Sequence, residues 1–241
     1  MIKKVSDIGN LRELNEDSYG VLEKEHYNVF IVCDGMGGHN AGEVASDMAR
    51  DIILEHMDNM FSKKNPLETL IKGTLIANEE IYSYSKTKYE LHGMGTTVTS
   101  VLSFNKNIFV AHVGDSSFFR IRDEKIEKLT KDHSYVQELV DLGKIAMDEA
   151  KSHPNKNIIT RAVGTNEKLK IDSFKLEISE DDIYILSTDG LTDYLSEQEI
   201  LKIILENKDI GIAMQNLVDL AKDRGGKDNI TILIFGGEAL K

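Results

Sequence analysis

The sequence predicts an α+β fold, with two mostly antiparallel β-sheets covered by helices. Three observations lead there. Short apolar runs rich in Val, Ile and Phe recur along the chain, and that composition with short length reads as strand. Segments with helix periodicity are segregated: one pair follows the first strands and another precedes the last strand. Two long sheets packed face to face, with helices outside each, would bury all the apolar faces this pattern creates.

Strands are expected on each side of the polar segment Arg12 to Asp17, with Ser18 to Glu23 following it and then Tyr27 to Cys33, the last, leading into Asp34. Beyond Gly42, residues Val44, Ala45, Met48, Ala49, Ile52, Ile53, Met57 and Met60 fall at three- and four-residue steps, one face of a helix. A second helix is expected from about Leu67 to Tyr89, with Leu70, Ile71, Leu75, Ile81 and Tyr82 on its stripe. Thr96 to Phe104, Ile108 to Val113 and Ser117 to Arg122 read as three strands joined by tight connections, hence an antiparallel meander. Residues 134–165 are less regular, with one short helical pattern at Val136, Leu139 and Val140. Strands at Ile171 to Ile178 and Ile183 to Leu186 follow, then helices at Glu197 to Glu206 and Ile210 to Asp223, and a closing strand at Ile230 to Phe235.

The chain has 241 residues and no proline- or serine-rich linker, so 1–241 reads as a single domain. Its formal net charge of −12 argues against nucleic acid or an anionic membrane surface as main partner. Cys33 is the one cysteine, so no intrachain disulfide can form; its place at the end of a strand reads as core. The first residues lack the apolar run of a signal peptide, and no apolar stretch approaches the ~20 residues that span a bilayer. A cytoplasmic setting is expected.

Chemistry concentrates at strand ends. Apolar strands end at Asp34, Asp115 and Asp189, Asp228 immediately precedes the last strand, and Glu16-Asp17 precedes another. Antiparallel neighbours can bring these carboxylates to one edge. Such a cluster repels itself unless cations neutralise it. An all-oxygen set suits Mg²⁺ or Mn²⁺ over zinc, and Asp34 is followed by Gly35, whose backbone can approach an ion closely. Arg12 is suited to bidentate contact with phosphate oxygens.

Competing chemistries fail on spacing. A cysteine-dependent phosphatase needs arginine six positions after its cysteine, and His39 stands there after Cys33. Gly37 to Gly42 has the glycines of a P-loop, but Glu43 replaces the lysine. His112 reads as a core histidine; His39 and His133 are the histidine candidates for the cleft.

Taken in order, the motifs resemble the metal-dependent serine/threonine protein phosphatases of the 2C type, in their bacterial form. The resemblance is carried by Arg12 with Asn15-Glu16-Asp17-Ser18, Asp34-Gly35-Met36-Gly37-Gly38-His39 and Gly93-Met94-Gly95-Thr96-Thr97. It continues through Gly114-Asp115-Ser116, Asp132-His133-Ser134, Ile159 to Gly164, Ser187-Thr188-Asp189-Gly190-Leu191 and Asp228-Asn229-Ile230-Thr231. It implies an αββα sandwich with the metal site at one edge, two Mn²⁺ or Mg²⁺ ions and a weaker third. By motif position Asp34 would bridge two ions, Gly35 would lend its carbonyl, and Asp189 and Asp228 would complete the coordination of the first ion. Glu16 and Asp17 would support the second ion through waters, Asp115 and Asp189 would hold the third, and Arg12 would hold the phosphate.

The implied substrates are phosphoserine and phosphothreonine proteins. The implied setting is a bacterium in which a monomeric enzyme opposes a serine/threonine kinase, with 134–165 as a mobile flap beside the cleft. Two departures stand out. Met36 occupies the place where many eukaryotic members carry a histidine proposed as general acid, which leaves the leaving-group proton donor open between a metal-bound water and His39. Ser117 stands where the family usually has arginine. A catalytically dead relative serving as a binding module would lack a metal-bridging carboxylate; here Arg12, Glu16, Asp34, Asp115, Asp189 and Asp228 are all present.

Overall fold

A computed structural model describes residues 1–37, 41–237 and 240. His39 lies outside the described residues. The strands run β1 (Ile2–Asp7), β2 (Asp17–Glu23), β3 (Tyr27–Met36), β4 (Gly95–Thr96), β5 (Val98–Phe104), β6 (Asn107–Val113), β7 (Ser117–Arg122), β8 (Lys125–Lys128), β9 (Asp172–Glu177), β10 (Ile183–Ser187) and β11 (Ile230–Gly236). The helices are α1 (Gly42–Met60), α2 (Pro66–Ser85), α3 (Tyr135–Asp141), α4 (Met147–Ser152), α5 (Asp189–Thr192), α6 (Glu197–Glu206) and α7 (Ile210–Asp223).

One sheet has the order β1-β11-β10-β7-β8, the other β2-β3-β5-β6-β9, with β4 added to β3. The recorded pairings are antiparallel. The period-2 alternation of strands explains why they stack as a sandwich. In β3, Val29, Ile31 and Cys33 pack toward α1 and α2, whereas Phe30 and Val32 face the other sheet. In β11, Ile230, Ile232 and Ile234 pack toward α6 and α7, whereas Leu233 and Phe235 face inward. Every central strand is therefore apolar on both faces, and three buried layers result. The middle layer is pinned by Phe30 and Phe235, one from each sheet, whose rings stack at 3.9 Å between centroids.

The expected sandwich is present, with several local differences. The stretch Ile108 to Arg122 is not part of a single meander. β5 pairs with β6, but β7 leaves for the opposite sheet and pairs with β10 and β8, while β9 takes the free edge of β6. The chain crosses over at Gly114, whose φ of +110° is open to glycine and costly for other residues. A Cβ there would also stand 2.5 Å from the Thr97 side chain.

Asp34 does not follow a strand. It lies inside β3, which continues to Met36 because Gly35 and Met36 pair with β4. The expected strand from Thr96 is broken at Thr97. α2 stops at Ser85 instead of Tyr89, with a short 3₁₀ turn at Tyr89–Leu91. Two short helices, not one, occupy 134–165. Cys33 and His112 are buried as expected; His112 bonds Thr99 Oγ1 at 2.9 Å and donates from Nε2 to the Lys131 carbonyl at 3.1 Å. Among the described residues, no helix is long and apolar enough to cross a membrane.

One buried charge braces the far end of this sheet. Asp182 accepts hydrogen bonds from Arg122 Nε and Nη2, both 2.6 Å, from the Ser179 amide at 2.8 Å and from the Tyr184 hydroxyl at 2.5 Å. Burial opposes its ionisation, but these donors outweigh it and hold the carboxyl below the ordinary aspartate range. Its folded-state pKa is depressed, so its stabilisation is present above the unfolded value and is lost as pH falls through the folded one. Asp182→Asn is expected to cost about 2 kcal/mol at neutral pH. In denaturant melts, the gap between variant and wild type should close as pH drops below about 4. A pH-independent gap would mean that the charge itself contributes nothing.

Candidate metal centre

The register of β2 and β3 sets Asp17 directly opposite Asp34. The other carboxylates arrive from the second sheet and from the crossover. Asp189 opens α5 immediately beyond β10, Asp228 lies two residues before β11, and Asp115 follows Gly114 at the end of β6. These five share one neighbourhood. Asp34 is pushed well above the usual carboxylate range, first by burial and then by repulsion from Asp17, Asp189, Asp115 and Asp228. Asp189 is raised likewise, by burial and then by Asp115, Asp193, Asp228 and Asp17. Asp17 and Asp115 are each pushed up to about 7, in both cases chiefly by burial. Hydrogen bonds from the Thr231 and Thr188 hydroxyls oppose the shift at Asp17, and repulsion from Asp132 adds to it at Asp115.

Asp34 is clamped through its backbone. Its N–H donates to Thr97 Oγ1 at 2.9 Å, and its carbonyl accepts from the Thr97 amide at 2.8 Å and the Thr96 hydroxyl at 2.9 Å. Thr97 Oγ1 also bonds Ser116 Oγ at 2.8 Å, one residue past Asp115. The break between β4 and β5 exists because Thr96 and Thr97 turn to serve Asp34. Gly35 is threaded between neighbours: a Cβ there would stand 2.2 Å from the Gly42 carbonyl oxygen and 2.5 Å from that of Glu16. Across the sheets, the Thr188 hydroxyl donates to Asp17 Oδ2 at 2.8 Å.

Arg12 stands at the rim, its side chain 43% exposed, and bridges two of the acids. Nη1 lies 3.2 Å from Glu16 Oε2 and Nη2 lies 2.9 Å from Asp228 Oδ2. Asn229 organises the same loop from below. Its Oδ1 accepts from the Glu16 amide at 2.8 Å, and its Nδ2 donates to the carbonyls of Ile8 and Leu14 at 2.9 and 3.1 Å.

His133 is buried with both ring nitrogens engaged. Nδ1 accepts from the Gly114 amide at 3.1 Å and Nε2 faces Asp172 at 3.2 Å, so the ring supports the Gly114 turn instead of facing the cleft. Thr96, Thr97, Thr188 and Asn229 hold the site through hydrogen bonds although none of them carries a charge. The signal was in the motifs themselves, since Gly95-Thr96-Thr97 and Asp228-Asn229 carry them.

Among the described residues, no three His, Cys, Asp or Glu side chains are drawn together as a ready ligand set for one ion. The carboxylates share electrostatic range, while Arg12 and the threonine hydroxyls occupy part of their bonding capacity. The donor set nonetheless fits a hard divalent cation. It is all oxygen, its charges repel, and Asp189 Oδ1 is buried without a hydrogen-bond partner. Beside this site, a cavity of about 730 Å³ runs from Asp115 and Asp189 toward residues 134–165, where Ser134, Val136 and Met147 line it. Lys156 reaches back from that segment to Asp193 at 2.6 Å.

Known proteins share this sequence pattern and this fold. Residues 11–216 match the family model described as protein phosphatase 2C. The serine/threonine phosphatase stp of Listeria monocytogenes is 36% identical over 95% of this chain and 92% of its own length. The protein phosphatase PhpP of Streptococcus pneumoniae is 33% identical over 97% of this chain and 96% of its own. Among solved structures, the serine/threonine phosphatase Stp1 from Staphylococcus aureus superposes with a TM-score of 0.92 at 35% identity, covering 98% of this chain and 94% of that one. The catalytic domain of the serine/threonine protein phosphatase PstP, solved with two manganese ions, gives 0.85 at 33% identity over 97% and 96%. Sequence and sandwich agree along nearly the whole length, and the chain belongs to the protein phosphatase 2C family.

Proposed function

We propose that this protein is a metal-dependent phosphatase of phosphoserine and phosphothreonine proteins, acting through the carboxylate edge around Asp34. The observation that carries this is the convergence of Asp17, Asp115, Asp189 and Asp228 on Asp34, with Asp189 Oδ1 left bare in a buried setting. Asp34, Asp189 and Asp228 would hold the first ion, and Asp34, the Gly35 carbonyl, Glu16 and Asp17 the second, the last two through waters. Asp115 and Asp189 would share a weaker third. When bound, such ions activate a water for attack and offset charge on the phosphoryl oxygens.

The chain's own residues supply the rest. Thr96 and Thr97 fix the backbone of Asp34, so its carboxylate is oriented before anything binds. Arg12 would exchange its contacts with Glu16 and Asp228 for a phosphate oxygen pair, which suits a rim guanidinium with planar donors. The Met36 thioether has no proton to give, so the leaving oxygen takes its proton from another group. Residues 1–241 would act as one monomeric catalytic domain, in the cytoplasm of a bacterium where a serine/threonine kinase supplies its substrates.

Three outcomes test these assignments. Dephosphorylation of a phosphothreonine peptide should vanish in EDTA and return on adding Mn²⁺ or Mg²⁺; full activity of chelated protein would refute metal dependence. Asp34→Asn should lower kcat a thousandfold or more, the equivalent of ~4 kcal/mol. A fall under tenfold in a folded variant would remove Asp34 from the bridging role. Arg12→Ala should raise KM for the phosphopeptide more than it lowers kcat, as when ground-state binding is lost. An unchanged KM would mean that Arg12 serves only Glu16 and Asp228.

A further inference from the structure

The start of α1 contains a carboxylate that the assignments above do not use. Glu43 is the second residue of that helix, and its Oε2 is buried with no hydrogen-bond partner. Among the described residues, no lysine or arginine pairs with it. A buried anionic oxygen left bare is costly unless a positive charge meets it.

Its surroundings say where that charge would sit. Glu16 packs against the same helix start: its carboxylate accepts a hydrogen bond from the Gly42 amide, and a Cβ on Gly42 would stand 2.3 Å from Glu16 Oε1. The Ser46 hydroxyl ties the two segments together, 2.6 Å from the Glu16 carbonyl and 3.2 Å from that of Glu43. Gly42 in turn touches Gly35, the residue after Asp34. Glu43 and Glu16 are thus like charges held side by side by backbone packing. Arg12 satisfies one oxygen of Glu16 and makes no recorded contact with Glu43.

We propose that Glu43 is a further acidic member of the cation site, holding with Glu16 the hydrated divalent ion on the Gly35 side. This rests on the metal-dependent function given above. The competing role is an acidic residue in the first turn of a helix, where it would favour the helix dipole and no ligand.

The two roles separate in a metal titration. Mn²⁺ is titrated calorimetrically into the chelator-treated, full-length chain, and the Mn²⁺-induced rise in Tm is measured alongside. Glu43→Gln is compared with wild type and with Glu55→Gln, a change on the exposed side of the same helix. The expected result is one binding step weakened 10- to 100-fold in Glu43→Gln, the effect typical of losing a group around a metal's ligands. Its Mn²⁺-induced rise in Tm should shrink, while Glu55→Gln should bind as wild type does.

If Glu43→Gln binds Mn²⁺ like wild type but melts lower in EDTA, Glu43 is a helix residue only and the inference is overturned. Should Glu43→Gln not fold, Glu43→Asp withdraws the charge by one methylene, and an unaltered isotherm for it overturns the inference equally. Absence of any Mn²⁺ binding by wild type would overturn the metal-dependent function itself, and this assignment with it.

Discussion

Mutual repulsion among carboxylates at one edge of the sandwich sets the terms for much else in this protein. Asp17, Asp34, Asp115, Asp189 and Asp228 come from both sheets and from the crossover between them, and burial makes the charges of Asp17, Asp34, Asp115 and Asp189 more expensive than they would be in water. Left to itself, a chain would spread such groups apart. Here the backbone prevents it, because each acid lies within a strand or close to the end of a strand or helix. The strain is electrostatic, and a divalent cation bound there would relieve it.

The scaffold answers that demand with hydrogen bonds to backbone, not to the carboxylate oxygens. Thr96 and Thr97 interrupt a strand to hold the amide and carbonyl of Asp34, and Asn229 holds the Arg12 to Glu16 loop by three backbone contacts. Asp17 and Asp228 are exceptions, with the Thr188 hydroxyl on Asp17 Oδ2 and Arg12 on Asp228 Oδ2. Backbone clamps leave side-chain oxygens free for a ligand while fixing their direction, which is what preorganisation requires. The stacked pair Phe30 and Phe235 keeps the two sheets in register, so contributions from one sheet stay aligned with those from the other.

The segment 134–165 joins this frame at its far end, where Val163 is buried and exchanges backbone hydrogen bonds with Thr96. It closes one side of the cavity that starts at Asp115 and Asp189, and its recorded tie to α5 is the partly exposed ion pair of Lys156 with Asp193. Exposed pairs of this kind contribute at most about 1 kcal/mol. That pair alone therefore adds little to holding the wall against α5.

The sequence alone determined the layered α+β architecture, because Val29 to Cys33 is apolar at every position, Ile230 to Phe235 at every position but Thr231, and such runs need cover on both faces. It also located the carboxylates, since aspartates at apolar strand ends are visible as pattern. What it could not determine was partnership between distant segments. The departure of β7 to the opposite sheet depends on the positive φ of Gly114, and local pattern read the three strands as a meander. Asp34 lies within its strand because Gly95 and Thr96, some sixty residues later, pair with Gly35 and Met36. The clamps of Thr96, Thr97 and Asn229, and the bare carboxylate of Glu43 beside Glu16, are likewise products of packing between segments far apart in the chain. Periodicity reports which face of an element must be buried; which element buries it, and which polar groups are left without partners, is decided only when the whole chain closes.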